Sequence, residues 1–179
     1  MKRIFQLAAG VGLSLSVLGS ATPQRLAAVP DDAAILNRFD DLVGADIACA
    51  QLAAERGHSA EVKAFARTLV SEHGLARQLA RDVAAMMNVT LKPSSDGARR
   101  AEHQRTLKAL RERPDVAFDV LFMRHEVDYH KEVVNLINKE WIPAAKHEDL
   151  SALLAQVGPA FEGHTKMAEE LWQKLVPNR

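Results

Sequence analysis

Residues 118–134 read FDVLFMRHEVDYHKEVV, and the way this stretch divides into helix faces decides the fold. Phe118, Phe122, His125, Tyr129, Val133 and Leu136 recur at alternating steps of four and three, the spacing that aligns side chains along one face of an α-helix. His125 and Tyr129 thus fall inside an otherwise apolar stripe, in mid-helix. Buried polar groups find partners, so other helices are expected to bring polar side chains to the same level.

The same period extends over the chain on either side. Toward the N-terminus, Ile35, Phe39, Leu42, Asp46, Cys49 and Ala53 define a helix from about Asp32 to Arg56, with Asp31 and Asp32 at its positive end and Gly57 just past its last turn. Ser59 reads as the N-cap of a second helix running to about Met87, with Glu61 in its first turn. Its inward stripe is Val62, Ala66, Leu69, His73, Ala76, Ala80, Val83 and Met87. NVTLKPSSDG at 88–97 breaks the period, and a short basic helix from Ala98 to Glu112 follows. Pro114 opens the helix that contains the quoted stretch, and Trp141-Ile142-Pro143 is expected to end it near Glu140. The last helix spans about Glu148 to Leu175 on Leu150, Leu153, Val157, Ala160, His164, Met167 and Leu171, with Pro159 expected to kink it.

This pattern predicts an all-α fold. Short links join the first two and the last two long helices, whereas residues 88–113 form a connection long enough to cross the whole domain. That layout is a ferritin-like four-helix bundle with one long crossover containing a short helix.

The N-terminus adds a separate expectation. Lys2 and Arg3 precede an apolar run from Ile4 to Leu18 that closes in Gly19-Ser20-Ala21, the layout of a cleaved secretory signal over residues 1–21. The run is too short and too polar for a good membrane span, so the mature chain is expected to be exported or periplasmic with no transmembrane segment. Residues 22–31 then form a flexible lead and 32–176 one helical domain. The 23 basic and 23 acidic residues balance, so no attraction to nucleic acid is implied. The one cysteine, Cys49, cannot form an internal disulfide and lies on an apolar face, where it reads as an inert core thiol.

Each of the four long helices carries an inward polar residue near its middle: Asp46, His73, His125 and His164, with Glu72, Glu126 and Glu162 adjacent. His125 and His164 lie about equally far from a turn near residue 144, so at ~1.5 Å rise per residue their heights coincide. Asp46 and His73 match less closely, about 6 Å apart in height, within side-chain reach. An isolated inward histidine is usually a hydrogen-bonded core residue, but three at one level with carboxylates beside them suit a metal such as Zn, Cu, Fe or Mn. Glu126 and His130, four apart beside the main stripe, read as an ion pair or as support for a ligand. Glu55 and His58 have Glu-x-x-His spacing but fall at a helix end.

EVKAFARTLVSEH at 61–73, the quoted stretch at 118–134 and VGPAFEGH at 157–164 resemble the exported bacterial family catalogued as domain of unknown function 4142, over most of residues 32–175. The resemblance implies a ferritin-like bundle in the bacterial envelope with no established activity. It also implies that His73, His125 and His164 occupy the family's recurrent histidine positions, and Asp46 a position more often held by glutamate.

Two functions follow. In the first, the chain binds a divalent transition metal through His73, His125 and His164, with Asp46, Glu72, Glu126 or Glu162 supplying oxygen, for storage, buffering or stress protection. In the second it is a non-enzymatic envelope interaction module whose polar core fixes helix register. Arg99, Arg100, Arg105, Lys108, Arg111 and Arg113 of the crossover would then meet an anionic partner. No activated nucleophile or substrate pocket is legible, so an enzyme is the less favoured reading.

Overall fold

A computed structural model describes residues 30–93 and 96–176; the expected signal segment 1–21 and most of the lead that follows it lie outside them. Among the described residues the chain is all-α. The long helices are α1 (Asp32–Arg56), α2 (Ala60–Met86), α4 (Asp115–Asn135) and α6 (Glu148–Leu175), with α3 (Gly97–Glu112) in the crossover. α1 packs chiefly on α2 and α4 on α6, the two hairpins joining through α2 with α6 and, more sparsely, α1 with α4.

Local chemistry sets the helix ends where the sequence placed them. Asp31 accepts the Ala34 N–H at 2.7 Å and Ser59 the Val62 N–H at 3.1 Å, each satisfying a donor that the first turn leaves free. A Cβ at Gly57 would lie 2.8 Å from the Ala53 carbonyl oxygen, so the tight exit from α1 admits no side chain. Asn88 adopts φ 55° beyond α2, the left-handed conformation that asparagine tolerates at a helix end.

Each hairpin turn is held by a carboxylate from the other hairpin. Asp119 of α4, fully buried, accepts the N–H groups of His58 and Ser59 at 2.8 and 2.7 Å. Asp32 of α1 does the same for Lys146 and His147 at 2.9 and 3.0 Å. These charge-assisted bonds fix the axial register of one hairpin against the other, and that register decides which mid-helix side chains meet.

The end of α4 departs from expectation. Helical backbone does not stop at Glu140 but passes through a π-helical segment, Leu136–Trp141, into the short α5 (Ile142–Ala144). Ile142 donates its N–H to the Ile137 carbonyl, five residues back, and Pro143 sits in the first turn of α5, where a missing N–H is tolerated. The wider turn keeps Ile137 and Trp141 on the core side, both fully buried, with Trp141 edge-on to Phe39 at 6.2 Å between centroids.

The buried face of α4 is also rotated from the one expected. Phe118, Phe122 and Val133 are inside, but with Asp119, Met123, Glu126, Val127 and His130, while His125 and Tyr129 stand at the margin. At ~100° per residue, Met123 and Val127 draw the centre of the face onto Glu126 and His130. A stripe drawn through apolar residues alone omits those two. In α6 a smaller shift buries Phe161 and Ala168 and leaves Ala160 and Met167 exposed.

Candidate metal centre

The apolar core is divided. One cluster gathers around Phe39, Trp141 and Phe161, the other around Phe65, Phe118 and Phe122. Between them, at the level of Asp46, His73, Glu126, His130 and His164, lies a polar layer in which none of the five is more than 2% exposed. Each is carried on the inward track of its helix between apolar neighbours, such as Leu42 and Cys49 around Asp46 or Phe161 and Ala168 around His164. Phe161 stacks on the His73 ring at 4.7 Å between centroids, closing the layer on one side.

The imidazoles form a connected group. His73 Nδ1 lies 2.6 Å from Asp46 Oδ2, and His73 Nε2 lies 3.1 Å from His164 Nδ1. His164 Nε2 lies 2.7 Å from Glu72 Oε2, a carboxylate whose side chain is 53% exposed. His130 Nδ1 donates to the Glu126 carbonyl oxygen at 2.9 Å and lies 3.4 Å from its own i−4 carboxylate, while Nε2 is 3.9 Å from Asp46 Oδ2.

Some of these close contacts are poorly aligned. Both carboxylate oxygens of Asp46, both of Glu126, His73 Nδ1 and His130 Nε2 are buried without an aligned hydrogen bond. His73 and Asp46 nonetheless pair at 2.6 Å, and the Asp46 and Glu126 carboxyl groups are themselves in hydrogen-bond contact. Two triads, His73/His130/His164 and Asp46/Glu126/His130, each offer ligand atoms within 4.8 Å of one another. Zinc-type ions hold nitrogen at about 2.0–2.1 Å, so small side-chain movements would close either triad on an ion. The residues present fit a divalent metal.

Burial shifts the ionisation of the whole layer. Burial and then the charge of Asp46 push the Glu126 carboxyl well above the usual range. Burial acts on Asp46 in the same direction, but His73, then His130 and His125, outweigh it and hold that carboxyl below its ordinary value. Burial also lowers His130, to about 4, and lowers His164, the latter aided by His73. His130 offers Nε2 as an acceptor, and His164 already meets His73 at Nδ1 and Glu72 at Nε2, so the layer holds imidazole and carboxyl groups that could take a metal ion.

Set against the sequence reading, the structure brings together His73, His164, Asp46 and Glu126 in the layer, with Glu72 at its edge. It does not bring His125 there. That ring is half-buried on the margin of α4, 5.3 Å from Tyr129 between centroids, and lines a separate cavity. Glu162 is exposed on the outer face of α6, accepting from Asn138 Nδ2 at 3.0 Å. Sequence reasoning placed His130 beside the stripe; its four-residue spacing from Glu126 on one face was the available signal for a place within it. His58 stays at the surface near Asp115, and His147 accepts the Asp149 N–H as a helix cap.

Fold and site together define an all-α protein with a buried imidazole–carboxylate layer. A family model described as Domain of unknown function (DUF4142) matches residues 17–171, and the chain belongs to that family. No curated protein and no solved structure matches it.

Proposed function

We propose that this chain is an exported envelope protein that binds a divalent transition metal in its helical core, in a storage, buffering or stress-protective role. The two buried triads His73/His130/His164 and Asp46/Glu126/His130, whose ligand atoms lie within 4.8 Å of one another, carry the reading. A cation among them would compensate the two carboxyl groups buried at this level. Export rests on the charged start, apolar run and small-residue end of residues 1–21. No described helix is long and apolar enough to cross a membrane.

Elemental analysis of protein purified from the envelope fraction tests both parts. The expected result is a mature chain lacking its first 21 residues or so and carrying near-stoichiometric metal, with loss of metal in a His73→Ala/His130→Ala/His164→Ala variant. Wild type free of metal after stringent loading, or a triple variant that binds undiminished, would refute metal binding.

The second reading, a structural polar core in an interaction module, draws on the His73–His164 and His164–Glu72 contacts, which need no metal. It leaves the other polar atoms of the layer unexplained. Its basic crossover is also partly neutralised, Arg99 lying 2.8 Å from Glu132 and Lys108 3.8 Å from Glu112.

A further inference from the structure

If the core holds a metal, the ion must pass a shell that leaves its ligands at most 2% exposed. Two approaches exist. Between α1, α3 and α4 lies a cavity of about 680 Å³, lined by Leu42, Ala45, His103, His125 and Tyr129 among others. None of Asp46, His73, Glu126, His130 or His164 reaches its wall. Tyr129 stands across that side with its hydroxyl donating to the Leu42 carbonyl at 2.7 Å, so the cavity stops short of the polar layer.

The α2–α6 edge is different. Glu72 is half in solvent, and from it the donor atoms step inward: 2.7 Å to His164, then 3.1 Å from His164 to His73, then 2.6 Å from His73 to Asp46. Gly74 and Gly163 flank this line, both exposed, and a Cβ at either would meet nothing within 4 Å. The backbone at these two positions is open to solvent. His164 faces both ways, presenting Nε2 to Glu72 and Nδ1 to His73, so rotation of one ring could carry an ion from the outer carboxylate toward the inner imidazoles.

We infer that Glu72 and His164 form the port through which a divalent cation enters the core, with Glu72 as its capture ligand rather than a permanent one. The inference rests on the metal-binding reading. It departs from that reading in assigning Glu72 to the rate of loading and not to the final affinity. A carboxylate at the mouth raises the local cation concentration, and its effect on the association rate is screened by salt.

Cobalt(II) serves as the probe, its visible absorption reporting entry into a nitrogen and oxygen site. Equilibrium titration of wild type comes first, and absence of binding there overturns the metal reading and the port together. With binding established, stopped-flow loading is compared for wild type, Glu72→Gln and Tyr129→Phe. Glutamine keeps an acceptor for His164 and removes the charge. The expected result is loading and release both slowed about tenfold in Glu72→Gln, the lower end of electrostatic steering effects, with affinity within about twofold of wild type and a weaker dependence of the rate on salt. Tyr129→Phe, which releases the ring from the Leu42 carbonyl, should load at the wild-type rate. Unchanged loading in Glu72→Gln, or faster loading in Tyr129→Phe, moves the way in to the cavity side and overturns the port. Affinity falling as steeply as the loading rate makes Glu72 a resident ligand and also overturns it. Either failure leaves the metal reading standing, since wild-type binding has already been measured.

Discussion

Glu126→Met offers the sharpest test of what the polar layer is for. The Glu126 side chain is fully buried, one of its carboxylate oxygens lies 3.4 Å from His130 Nδ1, and burial together with the charge of Asp46 and a hydrogen bond to it raises its pKa. Methionine fills similar volume with a flexible apolar chain. Hydrophobic replacement of buried charged groups often stabilises by about 1–4 kcal/mol, and here it also removes a carboxyl packed against a second carboxylate. The metal-free variant is therefore expected to gain about 2 kcal/mol over metal-free wild type, or about 4–8 °C in Tm for a chain of this size. It should also lose metal affinity. Urea unfolding and calorimetry in the presence of a chelator measure the first effect, and metal titration the second. A metal-free Glu126→Met that is less stable than wild type by more than about 1 kcal/mol would refute the reasoning. The carboxyl would then be a satisfied structural element, as an interaction module with a polar core requires.

Three further outcomes follow from the same geometry. His130→Ala should abolish metal retention and His125→Ala should leave it intact, checked by elemental analysis of the two proteins side by side. Asp119→Ala removes the acceptor of two backbone N–H groups in the α1–α2 turn and should cost about 3–6 kcal/mol in chemical unfolding, from bonds to a charged group worth about 1.5–3 kcal/mol each. The third concerns pH. His130 falls to about 4 in the folded chain from 6.5, so between those values the unfolded chain binds the extra proton and stability is lost as pH falls from 6.5 toward 4. Glu126, raised by burial, acts in the opposite direction above its unfolded pKa, so the comparison is wild type against His130→Leu. Wild type should lose stability relative to the variant with a slope no steeper than about 1.4 kcal/mol per pH unit. Parallel curves would show that His130 is not held neutral.

Helix positions were legible in the sequence because their causes are local. The bounds of α1 and α6, the Ser59 cap and the breaks at Gly57 and after Met87 follow from capping chemistry and from an apolar period repeated over many turns. The inward placement of Asp46, His73 and His164 was legible for the same reason: each is flanked at three and four residues by apolar side chains whose burial leaves it no other direction.

What the sequence could not decide was α4. Its quoted stretch carries two neighbouring tracks, one through His125 and Tyr129 and one through Glu126 and His130, and both share Phe122 and Val133. Apolar periodicity favours the first, since it contains fewer charges. Only the tertiary structure, in which α1, α2 and α6 bring a carboxylate and two imidazoles to one height, makes an environment where burying Glu126 and His130 is preferable to burying His125. Helix faces were thus set by residues within a few turns of each other. The polar layer was set by the packing register of two hairpins, fixed by Asp119 on one turn and Asp32 on the other, contacts between residues some 60 to 115 positions apart that no local pattern encodes.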